Sequence, residues 1–275
     1  MKKLIRNSFA LVGAALMAAS TAPAQADEID DIIGKGTLRC GVMLDFPPAG
    51  FRNSSNEPDG FDVQYCKDMA KALGVEAEVV ETPSPERVPA LVSKRVDVMI
   101  ASASNTLERA KTVAFTMPYV VYTNVVITQK DSDIESFEDL KGRSVGNVVG
   151  TTPEQFFLEH FEKWDDSNGN YTGFGSDAES YLAVSQGKVE AIIGSSAQAA
   201  DLIASGNFPN LEIRAEAPFT VDLVSIAVNK DDHSLLRWAN LFVWEQQKSG
   251  RYAELYKQYF RSDEVPALTI PNTYY

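Results

Sequence analysis

The chain has 275 residues, 25 of them basic and 38 acidic, for a net charge of −13. That excess of acid argues against nucleic acid and anionic membrane surfaces as partners, though not against a small anion held by one buried cation. The length exceeds a typical single core of about 100–150 residues, so two lobes are expected.

The chain opens with "MKKLIRNSFALVGAALMAASTAPAQA". Lys2, Lys3 and Arg6 form a basic start, residues 9–19 are apolar, and Ala24-Gln25-Ala26 fits the small-residue cleavage rule. Residues 1–26 therefore read as a secretory signal peptide. The apolar run is well short of the ~20 residues that span a bilayer. No cysteine follows the cleavage site, so no lipid anchor is expected there.

"TLRCGVM" reads as a strand. In "FDVQYCKDMAKAL", Phe61, Tyr65, Met69 and Leu73 recur every four residues, widened by Cys66 and Ala70, which predicts an amphipathic helix. Cys40 and Cys66 are the two cysteines of the chain. In an exported protein a disulfide is expected between them, since a helix packed on its strand can bring such side chains together. Two buried free thiols are the alternative.

"VEAEVVE" alternates as a strand. Ser84 and Pro85 are expected to cap and open a helix with Val88, Leu91 and Val92 on its core face. "VDVMI" follows as a buried strand. The order then repeats: strand "RSVGNVV", helix "TTPEQFFLEHFEKW", strand "YTGFG", helix "DAESYLAVSQG" and strand "VEAII". In the first of these helices Thr152 is the expected cap, Pro153 the first residue and Gln155 the end of a capping box. Asp165 to Asn170 read as a surface loop. "SSAQAADLIASG", "LEIRAEA", "VDLVSIAVNK" and two terminal helices complete a chain that holds two similar α/β units.

Open α/β sheets bind ligands at the carboxyl ends of their strands. After "VDVMI" come Ser102, Ser104, Thr106 and Arg109; after "RSVGNVV" come Gly150, Thr151 and Thr152. Arg109 can clamp a carboxylate with two parallel N–H groups. Thr151 and Thr152 stand at a helix N-terminus, where free N–H groups favour an anion. Each feature alone reads as a plain cap or a surface arginine; the weight lies in both falling at the same place in two repeated units. In "DFPPAGF", Phe46 could face the cleft or the core, Phe51 reads as core, and Asp45 is open to either. His160 and His233 are far apart, and no metal-binding or nucleophile-elbow motif occurs. Neither a metal nor another cofactor is expected.

In order, "GTLRCGV", "DFPPAGFRN", "GFDVQYCKDMAKALGV", "RVPALVSKRVDV", "NTLERAKTVAFTMPYV", "VVGTTPE" and "GKVEAII" resemble the periplasmic solute-binding proteins of polar amino-acid ABC importers, over essentially the whole mature chain. The resemblance implies a type II periplasmic-binding-protein-like α/β fold, with two similar lobes joined by two crossing strands. The strands would lie near Tyr119 to Asn124 and Thr220 to Ser225. Lobe 1 would comprise 27–121 and 223–275, and lobe 2 would comprise 122–222. It implies a monomer in the periplasm that closes on an amino acid or related small carboxylate and docks on a membrane permease. Arg109 would clamp the ligand carboxylate, helped by the Ser104 backbone. Ser102 would sit where the family uses a carbonyl for the amino group. Thr151 and its neighbours would hold the carboxylate from the second lobe, and Phe46 would pack on the ligand side chain.

Two departures stand out. Ser195 occupies the place of an aspartate that faces the ligand ammonium in the family, and a buried ammonium without a carboxylate is costly. Ser84 stands where relatives carry a ligand contact. A dehydratase acting on small cyclic acids, built on the same scaffold, is the alternative that the Ser195 departure raises; the expectation is a binding protein, not an enzyme.

Overall fold

The computed structural model describes residues 27–164 and 168–268. The leader and its cleavage site lie outside them, as do Asp165 to Ser167 of the expected loop and the last seven residues. The first elements are α1 (Glu28–Lys35), β1 (Thr37–Val42), β2 (Asp45–Phe46), β3 (Gly50–Arg52), β4 (Pro58–Asp59), α2 (Phe61–Leu73) and β5 (Glu76–Glu81). After a 3-10 turn at Ser84–Glu86 come α3 (Arg87–Val92), β6 (Val98–Met99), β7 (Val113–Tyr122) and β8 (Asn124–Gln129). They lead into β9 (Ser144–Val148), α4 (Thr152–Trp164), β10 (Asn170–Phe174), α5 (Asp177–Ser185), β11 (Ala191–Ser195) and α6 (Ser196–Ala204). The remaining elements are β12 (Leu211–Glu216), β13 (Asp222–Asn229), α7 (His233–Lys248) and α8 (Arg251–Phe260).

Two five-stranded sheets repeat one plan, with orders β5-β1-β6-β13-β7 and β10-β9-β11-β8-β12. In each, the first three strands run parallel and the last two pairings are antiparallel. The fold is thus the two-lobed α/β architecture expected from the sequence. The chain passes between the sheets at Thr123, between β7 and β8, and again through residues 217–221, between β12 and β13. Helices cover both faces of each sheet, which is why their strands read as apolar runs.

The predicted stripe of α2 faces the core: Phe61, Tyr65, Cys66, Met69 and Ala70 are fully buried. A disulfide joins Cys40 of β1 to Cys66 of α2, with the Cα atoms 6.1 Å apart. Helix α1, capped by the Asp27 side chain, and the small sheet β2-β3-β4 were not expected. Two expectations about caps need correction. Residues 84–86 form a 3-10 turn, so the helix starts later and in another phase: Leu91 is buried, Val92 is 49% exposed, and Arg87 turns inward at 4%. At α4 the capping box is one residue earlier. Thr151 Oγ1 accepts from the Glu154 N–H, and the Glu154 carboxylate accepts from the Gly150 N–H. Gln155 instead donates along the helix to Glu159.

Candidate functional site

The carboxyl ends of β1, β6, β9 and β11 face one another across a small cavity of about 50 Å3. Met43 and Phe46 follow β1, and Ser102 and Ser104 follow β6. From the other sheet come Asn147, Thr151, Thr152, Ser195 and, on α5, Asp177 and Tyr181. Tyr122, Asn124 and Asp222 line it where the chain crosses. Of the sequence-derived candidates, Phe46, Ser102, Ser104, Thr151, Thr152 and Ser195 therefore stand together on the wall. Phe46 lies with its ring 5.9 Å from that of Tyr122, an aromatic corner at one end.

Arg109 is placed differently. Its guanidinium donates to the Ser104 carbonyl at 2.9 Å and, across the cleft, to the Gly150 carbonyl at 2.6 Å, just outside the cavity lining. The cation in the lining is Arg87, which the sequence reading missed. Arg87 donates to the carbonyls of Ala101 (2.7 Å) and Ser102 (3.1 Å), to the Ser84 carbonyl and hydroxyl, and at 3.4 Å to the same Gly150 carbonyl. All of these acceptors are neutral. Burial and the neighbouring Arg109 charge lower its pKa to about 9. Burial also lowers that of Arg109, against the pull of Asp222.

The first wall is tightly bonded. Asp62 of α2 accepts from the Tyr119 hydroxyl at 2.7 Å and the Ser102 hydroxyl at 2.9 Å. Tyr122 lies 3.2 Å from the same Ser102 oxygen. Burial raises the Asp62 carboxyl to about 7, against these bonds and the Arg87 charge. The Ser102 hydroxyl is thereby spent on Asp62, and its backbone sits at φ 47°, a left-handed conformation unusual for serine. Thr152 donates to the Ser104 hydroxyl across the cleft, while Thr151 Oγ1 donates to the Val148 carbonyl.

The second wall is different. Side-chain nitrogens of Asn124 and Asn147 are buried without a partner among the described residues, and so are Asp177 Oδ2, Tyr181 Oη and Ser195 Oγ. Asp177 also meets Asp45: the Asp45 carboxylate accepts from the Asp177 N–H at 2.9 Å, across the cleft. Burial raises the Asp177 carboxyl to about 7, helped by the Asp45 charge. Asp45 is raised by burial too, against the N–H groups of α5. Asn124 and Asn147 were missed although a signal exists, an amide inside an otherwise apolar strand. For Arg87 no such signal exists, because the 3-10 turn that reorients it is invisible to a helical-period reading.

This geometry is joined by likeness to known proteins. The bacterial extracellular solute-binding proteins, family 3, match residues 38–262, and the chain belongs to that family. It is 29% identical over 257 residues to the L-cystine-binding protein TcyJ of Escherichia coli, covering 92% of this chain and 94% of that one. To the histidine-binding periplasmic protein of Escherichia coli it is 28% identical, covering 82% and 88%. A solved ancestral amino acid-binding protein, described as a precursor of cyclohexadienyl dehydratase, superposes with a TM-score of 0.76 at 31% identity, covering 84% and 99%. These relatives are named as binding proteins, and the role of the chain is solute binding rather than catalysis.

Proposed function

We propose that the protein binds a free amino acid in the periplasm and hands it to the permease of an ABC importer. The observation that carries this reading is the convergence of Arg87 and Arg109, both from the first sheet, on the one neutral carbonyl of Gly150 from the second. An anion answers two guanidinium charges better than an amide oxygen does. A ligand carboxylate entering there would gain contacts from both walls only when they are closed, which is how a ligand favours the closed state. Arg109 and Arg87 would hold that carboxylate with Ser104 and the start of α4 at Thr151 and Thr152. Phe46 would pack on the ligand side chain, and Ser102 and Ser195 would border the rest. The lobes would be 27–121 with 223–275, and 122–222, in a monomer. The names of the relatives span cystine, histidine and arginine, which supports the class of ligand and leaves the side chain open.

The test is a thermal-shift panel of the twenty L-amino acids and small carboxylates. Ligand at a hundred times its dissociation constant adds about 2.7 kcal/mol, or roughly 5–10 °C for a chain of this size. A panel with no shift at all would sink the reading.

A further inference from the structure

The second wall of the cavity carries a carboxylate with one oxygen that the described residues leave unanswered. Asp177 is 7% exposed, lines the cavity, and its Oδ2 has no partner among the described residues. Around it unpartnered polar atoms accumulate. Tyr181 Oη and Gln198 Oε1 are likewise unpartnered, and both lie beside the cavity-lining Gly194, where an added Cβ would meet them at 3.4 and 3.9 Å. Ser195 Oγ is unpartnered in the same lining. The Asp45 carboxylate accepts from the Asp177 N–H at 2.9 Å, so a second acid lies beside the first, and the Arg87 charge acts on Asp177 from the same cavity lining. The Gln198 amide donates to the Asp45 carbonyl at 3.3 Å and reaches the Asp177 carboxylate as well, so the donors at this end are that amide and the Tyr181 and Ser195 hydroxyls, all neutral. Buried polar groups are satisfied in folded proteins, and a buried acid facing a cavity without a partner points to an occupant that supplies one. The same cavity lining carries the Arg87 guanidinium. A cavity lined by both a guanidinium and an open carboxylate oxygen matches a molecule with both charges.

Resting on the amino-acid reading above, we propose that Asp177 receives a cationic group of the ligand, so that the site takes a zwitterion and rejects the corresponding simple carboxylate. Ser195, small and neutral, then makes room beside that group instead of neutralising it. Asp177 would contact the ligand directly and set its class.

The experiment is calorimetry on the full chain without its leader, with the twenty L-amino acids and their 2-hydroxy acid counterparts. Removing a buried charge partner costs about 30-fold or more in affinity. An amino acid should therefore bind wild type, and the analogue lacking its cationic group should bind at least about 30-fold more weakly. Asp177→Asn should weaken the amino acid to a similar degree and erase its advantage over the analogue, a loss of selectivity that a merely structural residue would not produce. Equal binding of amino acid and analogues by wild type, or retained selectivity in a folded Asp177→Asn, overturns the proposal while leaving the carboxylate site standing. If Asp177→Asn does not fold, the wild-type analogue comparison decides alone. If no amino acid or hydroxy acid binds wild type, the amino-acid reading itself has failed.

Discussion

Asp62 and Asp177 approach the cavity from opposite walls, and burial raises each carboxyl to about 7. Their surroundings differ. Both oxygens of Asp62 accept from hydroxyls of the protein, Tyr119 on one side and Ser102 on the other. Asp177 keeps one oxygen unanswered. The same pattern extends to the walls as a whole. The first is cross-bonded through Asp62, Tyr119, Ser102 and Tyr122, and the Cys40–Cys66 disulfide holds α2 to β1 behind it. The second lines the cavity with amides, a phenol and an acid that hold buried polar atoms without partners among the described residues. A buried polar network that is complete rigidifies; one that is incomplete waits for a ligand. The contrast teaches that the first lobe supplies a finished surface and the second supplies the open bonding capacity.

The strongest way to sharpen this contrast is to remove the disulfide. The Cys40→Ser, Cys66→Ser variant should lose about 3–4 kcal/mol in urea unfolding. Its hydrogen-exchange protection should drop in α2 and β1 and stay unchanged in α5 and β9. Next, Asp62→Ala strands two hydroxyls and should cost about 2–3 kcal/mol, whereas Asp177→Ala should change stability by less than about 1 kcal/mol; equal losses in the two variants would break the comparison. The third test is pH. Both acids have folded pKa values above the roughly 3.9 of an unfolded aspartate, so between about pH 4 and 7 the folded state binds more protons and stability falls as pH rises. The unliganded protein should therefore be more stable at pH 5 than at pH 7.5, by more than about 1 kcal/mol, and Asp62→Asn should remove part of that slope. The smallest effect is local: Thr151→Ala deletes the cap of α4 on the second wall and should cost about 1 kcal/mol, while Gln155→Ala should cost almost nothing.

Much of this was readable in advance because it follows from periodicity. Apolar runs marked β1, β6, β9 and β11, and glycine, proline and threonine marked the turns that end them, so the place of the site came with the fold. Ser104, Thr151 and Thr152 were found by that placement, whereas Phe46 and Ser195 came from the family resemblance. What was not readable depends on phase and on long-range contact. The 3-10 turn at Ser84–Glu86 rotates α3, exposing Val92 and burying Arg87, and nothing in the helical pattern signals it. Asp177 reads as an ordinary acid in the first turn of a helix; only the packing of α5 against the cavity makes it a buried acid. The bond from Arg109 to Gly150 lies 41 positions apart in sequence and exists only once two sheets face each other.

The strand order of the first sheet carries one more consequence. Its fourth strand, β13, pairs with both β6 and β7, yet comes from residues after the whole second sheet. In that sheet β7 pairs with β13 alone. A chain emerging from its N-terminus can thus build the second sheet while β6 and β7 still present bare backbone edges. Such edges template pairing with other chains. The first lobe is the last to finish although its sequence comes first, and any stall before residue 229 leaves a sticky, half-made sheet. As the chain is made, then, these edges stand open for the whole interval between the emergence of β7 and that of β13.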